Sequence, residues 1–162
     1  MPTKLRFRES VRSGIIYNTV MEPIQVVIDT NIIVAALRSK RGASHKLLMK
    51  IGSGKFEMNL SVPLLLEYEY AAKQLINETA LTESDADDIL DYLCSRSNKR
   101  KIYYLWRPFL RDAKDDLVLE LAVAANCEYI VTFNVKDFQG AEQFGLRVRR
   151  PKEFLIEIGE AL

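Results

Sequence analysis

Apolar residues in this chain gather in short β-branched runs, separated by longer stretches where they recur at helical spacing. Ile24–Ile28 (IQVVI) is the first run. It stops abruptly at Asp29-Thr30-Asn31, after which Ile32–Leu37 has helical spacing. Ser44–Ile51 repeats that spacing before the breaker Gly52-Ser53-Gly54, and Phe56–Leu60 is a second short strand. Ser61 is placed to cap the next helix, with Pro63 in its first turn, where a missing N–H costs nothing; this helix runs to about Asn77. Thr82 and Asp85 have the spacing of a capping box, with Asp in place of the usual Glu, for a helix to about Arg96. Lys101–Leu105 is a third strand candidate and Asp115–Asn126 a helix. Tyr129–Thr132 (YIVT) is a fourth strand, Leu146–Val148 a fifth, and Pro151 opens a terminal helix.

Strands separated by helices imply parallel pairing through crossovers, with helices on both faces of the sheet. The expected fold is therefore α/β, a three-layer α/β/α sandwich around a central parallel sheet. Strands buried on both faces should read as continuous apolar runs, as IQVVI and YIVT do. The length of 162 residues fits one domain, which the pattern places at residues 23–162. Residues 1–22 stand apart: Lys4, Arg6, Arg8 and Arg12 lie among few apolar residues, with Glu9 and Glu22 the acids. Two readings of this basic arm stay open, a poorly ordered tail and a contact to nucleic acid.

Charge narrows the function classes only slightly. With 23 basic and 22 acidic residues the formal charge is +1, so a nucleic-acid site must come from local patches. Arg38, Lys40, Arg41 and the Arg96–Lys101 segment, Lys99 and Arg100 within it, are candidates; solvated surface charge is the competing reading. Cys94 and Cys127 are far apart and outside any CxxC pattern, as free thiols of a cytoplasmic protein would be. The longest apolar stretches fall short of the roughly 20 residues of a membrane span, and no secretory signal is apparent. A cytoplasmic protein is the expectation.

The chemistry lies in acids at strand and helix ends. In parallel sheets ligands bind beyond the carboxyl ends of the strands. Asp29 follows the first strand directly, and Asn134 and Asp137 follow the fourth. Glu67 sits one turn into the helix after the second strand, behind the apolar Leu64-Leu65-Leu66. Asp112, Asp115 and Asp116 lie at the start of another helix, with Glu120 four residues further on its face. Carboxylates crowded on one edge repel, and one would ordinarily take up a proton. A hard divalent cation such as Mg²⁺ or Mn²⁺ removes that conflict, because it prefers oxygen ligands. The one histidine, His45, falls on a surface helix, which argues against zinc. All-carboxylate ligation points to metal-assisted chemistry on phosphate. Several of these acids also have a plainer role: Asp29, Asp112 or Asp115 would serve as helix caps, and Asp85, Asp87, Asp88 and Asp91 form a solvated helix face, whereas Glu67, beside Leu66 in an apolar stretch, is the hardest to explain that way.

The segments VVIDTNIIVAAL (26–37), SVPLLLEYEY (61–70) and RDAKDDLVLELAVAANCEYIVTFNVKDF (111–138) resemble the PIN-domain family in order and spacing. The resemblance is nearest to the toxin-like PIN proteins of bacterial toxin–antitoxin pairs and covers roughly residues 24–155. It implies an α/β/α nuclease domain, Mg²⁺ or Mn²⁺ as cofactor, RNA as substrate, a homodimer and an antitoxin protein as partner. It assigns the metal-binding and catalytic acids to Asp29 and Glu67, with the third on the Asp115-Asp116 pair. Thr30, Asn31, Asp112, Thr132, Asn134 and Asp137 would support them. Asn134 occupies a fourth position that is often acidic in the family, which leaves one charge fewer for a second metal.

Other classes fit less well. A haloacid-dehalogenase-like phosphatase wants a second acid two residues after the first, and Asn31 stands there. A receiver domain wants an acidic pair at the first strand end and a phosphoacceptor after the third; neither is present. A catalytically weak PIN-fold module that binds RNA or protein remains the alternative.

Overall fold

In the computed structural model, which describes residues 22–103 and 108–162, the IQVVI run is the central strand of a five-stranded sheet. This strand, β1 (Ile24–Ile28), pairs in parallel with β2 (Phe56–Leu60) on one side and β4 (Tyr129–Val131) on the other. The short β3 (Asn98–Lys99) extends the sheet beyond β2, and β5 (Arg147–Arg149) extends it beyond β4. All pairs are parallel and the order is β3-β2-β1-β4-β5. The chain reverses its course across the sheet at the β1/β4 boundary.

Among the described residues, six α-helices connect and flank the strands: α1 (Thr30–Arg38), α2 (Ala43–Met49), α3 (Val62–Ile76), α4 (Glu83–Arg96), α5 (Ala113–Ala124) and α6 (Pro151–Glu157). Right-handed crossovers put α1 to α4 on one face, because they carry the chain from β1 toward β3. The return from β3 to β4 runs the other way, so α5 lies against β1, β2 and β4 on the opposite face. This is the expected α/β/α sandwich. Val26, Val27, Ile28, Ile130 and Val131 are fully buried between the layers. The expected caps form: Ser61 accepts from the Leu64 N–H, and Thr82 and Asp85 satisfy one another's backbone N–H groups.

The third strand lies earlier than its apolar signal. Lys101–Leu105 was the candidate, yet β3 is Asn98–Lys99; residues 101–103 carry no strand, and 104–105 lie outside the described residues. Side chains, not apolarity, pin this edge. The Asn98 amide donates to Glu57 (2.7 Å) and Gln25 (3.3 Å), and the Arg100 guanidinium donates to Asn59 (2.9 Å). The fifth strand is shifted by one residue, and two 3₁₀ turns, Val135–Phe138 and Ala141–Phe144, follow β4. The basic arm at residues 1–22 lies outside the described residues apart from Glu22.

Candidate functional site

The reversal between β1 and β4 opens a crevice at their carboxyl ends, where open parallel sheets bind ligands. Asp29 is the first residue past β1 and Thr132 the first past β4, and both are buried. Asp29 caps α1, its Oδ1 accepting from the Thr30 N–H at 2.7 Å. Its Oδ2 accepts from the Thr132 hydroxyl, also at 2.7 Å. That hydroxyl in turn accepts from the Asn31 amide (3.2 Å) and the Asn134 N–H (3.0 Å), so its single proton is committed to Asp29. Asn31 completes the lattice by accepting from the Phe133 N–H at 3.3 Å. Beneath it, fully buried Tyr68 donates its hydroxyl to the Ile28 carbonyl, holding the strand end from below. Burial, then the charge of Asp29, keeps the Tyr68 phenol well above its ordinary pKa, so it is a neutral donor.

Burial and like charge work against the Asp29 and Asp115 carboxylates in this crevice. Burial pushes the Asp29 carboxyl up; the bonds from Thr132 and Thr30 oppose this, and the charges of Asp137 and Asp112 add to it. Asp115, half-buried on α5, is pushed up to about 6 by burial and then by Asp29, Asp112, Asp137 and Asp116. Burial and same-sign charges are the largest influences on it, and no described residue donates it a hydrogen bond.

The adjacent acids on α5 do different things. Asp112 is the N-cap, accepting from the Lys114 N–H at 2.8 Å. Asp116 is buried, and its Oδ1 accepts from the N–H groups of Phe109 (3.2 Å) and Leu110 (2.9 Å), tethering the loop that leads into α5. Glu67 is held by Lys114, whose ammonium is 3.4 Å from its carboxylate. Lys114 and Tyr68 were not singled out in the sequence. Tyr68 reads as one more apolar position of α3, and Lys114 as a solvated charge within RDAKDD.

The structure thus gathers Asp29, Asp112, Asp115 and Asp137 into one field, with Thr30, Asn31, Thr132 and Asn134 as its hydrogen-bonding frame. Among the described residues, no three potential ligands stand close enough to form a metal shell as they are. The donor set is nonetheless all oxygen: Asp29 keeps a lone pair on each carboxylate atom, and Asp115 keeps all of its own. Asp29, Asp115 and, on leaving Lys114, Glu67 could hold a hard divalent cation. Of the basic candidates, Lys99 and Arg100 lie at the carboxyl end of β3, on the same sheet edge as Asp29. Arg38, the last residue of α1, pairs with Glu78 just past the far end of α3 (2.8 Å), and Lys40 and Arg41 follow it in the chain.

Comparison with known proteins agrees with this architecture. A family model for the PIN domain matches residues 25–136, more than half of the chain. Among solved structures, the chain is similar to VapBC2 from Rickettsia felis bound to a DNA fragment from their promoter. The TM-score is 0.53 at 18% sequence identity, over 77% of this chain and 98% of that one, a likeness of fold. No curated protein matches the chain.

Proposed function

This chain belongs to the PIN-domain family, and on that premise we propose that it is a metal-dependent endoribonuclease, the toxin component of a toxin–antitoxin pair. One observation carries the reading. A buried carboxylate sits at the switch point of a parallel sheet, and a second carboxyl is raised to about 6 by burial and then by the charge of the first and of its acidic neighbours. Such an arrangement costs stability unless a cation is to be bound there.

Asp29 and Asp115 are the residues we assign to the metal, with Glu67 orienting the metal or the attacking water. Asp116 we place outside them, because its Oδ1 already serves two backbone N–H groups. Mg²⁺ or Mn²⁺ bound here would supply the Lewis acid that makes water nucleophilic near neutral pH. The protein's own part is positioning. Thr30 and Thr132 hold Asp29 by both oxygens, and Tyr68 fixes the strand end that carries it. This rigidity spares reorganisation when charge develops on the phosphodiester. Lys99 and Arg100 would draw the RNA backbone to this edge.

The fold likeness to a toxin–antitoxin complex supports an antitoxin protein as partner, and a homodimer acting in the cytoplasm is what the family resemblance implies. No helix among the described residues is long and apolar enough to cross a membrane. One feature favours a weak or non-catalytic RNA-binding module instead: neutral Asn134 stands exposed where an acid would complete a second metal position. Incubating purified protein with RNA in Mg²⁺, Mn²⁺ or EDTA separates the two. We expect cleavage with either ion and none in EDTA, whereas RNA that is bound but left intact in every condition would favour the binding module.

A further inference from the structure

Lys114 joins two helices at the rim of the candidate site. From α5 its ammonium reaches α3, 3.4 Å from the Glu67 carboxylate and 5.7 Å from the centroid of the Tyr70 ring. Glu67 and Tyr70 are three residues apart on α3 and therefore neighbours on its surface. Tyr70 is 59% exposed. An isolated exposed tyrosine is ordinary on any protein. Here the ring is tied, through one lysine, to an acid of the candidate centre, while that lysine is the chain neighbour of Asp115. A flat aromatic face and a carboxylate thus share one long flexible cation beside the crevice.

We infer that Tyr70 and Lys114 form a nucleotide subsite, in which a base of single-stranded RNA stacks on Tyr70 while Lys114 passes from Glu67 to the adjoining phosphate. The inference rests on the ribonuclease reading, which supplies the polynucleotide. Every base has a π-face, so a stacking platform accepts RNA without reading its sequence, and a lysine beside it neutralises the phosphate. The exchange is inexpensive. Lys114 is 63% exposed in its side chain, and ion pairs this open to solvent contribute little to stability. Transfer of the ammonium to phosphate releases Glu67, so arrival of substrate frees an acid toward the centre. A duplex cannot do this, because its base faces are already stacked on one another.

The test is binding of a fluorescently labelled single-stranded RNA oligonucleotide in EDTA, where no turnover occurs, read by anisotropy. Tyr70→Ala should bind about 5- to 150-fold more weakly, the range for loss of one base-stacking contact. Tyr70→Phe keeps the ring and should bind like the wild type. Lys114→Gln should weaken binding and flatten the log–log salt dependence by about 0.7, one phosphate contact on a single strand. Thermal melts verify that each variant is folded, and Lys114→Arg, which keeps the charge, should restore the salt slope. Wild-type affinity in both Tyr70→Ala and Lys114→Gln overturns the subsite, as does RNA duplex competing as well as single strand. Cleaving protein that binds no oligonucleotide in EDTA overturns it too. Binding that depends on both residues in a protein inert with every divalent ion would instead overturn the nuclease reading and keep the subsite.

Discussion

Glu57 and Asp115 are both partly buried carboxylic acids on the α5 side of one sheet, and their surroundings push them in opposite directions. Glu57 accepts from the Gln25 amide (2.9 Å) and the Asn98 amide (2.7 Å), with Arg100 nearby, and these hold it below the ordinary carboxylate range. Asp115 has burial and four acids about it and is raised to about 6. The first acid is compensated within the protein and knits β1, β2 and β3 together. The second is left uncompensated at the carboxyl-end edge of the sheet, where open parallel sheets bind ligands. A carboxylate satisfied by amides has nothing to offer a cation, whereas one crowded by other acids is stabilised by binding one. The contrast separates polar groups that build this fold from polar groups that strain it.

Breaking the strained side should have the largest effect. Asp29→Asn keeps size and most hydrogen bonding while removing a charge. We expect it to lower ribonuclease turnover by about a hundredfold or more, the scale for losing one preorganised electrostatic group. The same variant should melt higher than wild type in EDTA, because one repelling charge is gone. In Mg²⁺ the wild type should gain stability, about 2.7 kcal/mol at a hundredfold excess over Kd, and the variant little. Equal melting temperatures of both proteins with and without Mg²⁺ would leave the carboxylate cluster without a role.

Next in size is a difference in sign between neighbours. Asp116→Ala strips the acceptor from the Phe109 and Leu110 N–H groups and should destabilise by about 1–3 kcal/mol in urea titrations. Asp115→Asn should raise stability in EDTA while abolishing activity. If both substitutions destabilise alike, the division of labour between these two residues is wrong.

The pH dependence is smaller and tests the contrast directly. Asp115 has its carboxyl pKa raised in the folded state, from 3.8 to about 6, so the folded protein binds the proton more tightly than the unfolded chain. In EDTA its contribution therefore makes the protein more stable as pH falls from about 7 toward 4, and Asp115→Asn should remove that slope. Mg²⁺ affinity should run the other way, rising with pH through about 6 as the competing proton leaves. A melting temperature flat across this window in the wild type would contradict the raised carboxyl.

The smallest effect belongs to Glu57. Its lowered carboxyl stabilises the fold above the unfolded value of 4.5, and that stabilisation is lost as pH falls through the lower folded value. Glu57→Gln should change stability at neutral pH by no more than about 1 kcal/mol, since solvent screens a group this open. It should flatten only the acid limb below about 4.5, opposite in sense to Asp115→Asn. A rise in stability on acidification that vanishes in Glu57→Gln would reverse the comparison.

Much of this was legible along the chain, and the failures are physical. Strands that end in an acid or a hydroxyl announce themselves, so β1, β2 and β4 fell where their apolar runs lie. The edge strand β3 carries Asn98 and Lys99 instead of apolar residues, because an edge is held by side-chain hydrogen bonds and leaves little to bury. The tyrosines and leucine that mark residues 103–105 were the louder signal and misplaced it.

Local order of residues determined the fold class, the caps at Asp29, Ser61 and Thr82, and the set of acids from which a site could be drawn. All of these depend on neighbours within a few positions. Tertiary structure alone decided that Thr132, 103 residues along the chain, gives its proton to Asp29. It also decided that Asp116 ties down a loop while Asp115 enters the acidic field. Neighbouring residues of a helix point about 100° apart, so the identical letters of a DD pair cannot say which faces the crevice. Lys114 shows the same limit: its sequence neighbours are acids of its own helix, but the carboxylate it neutralises lies on α3, brought there only when the layers pack.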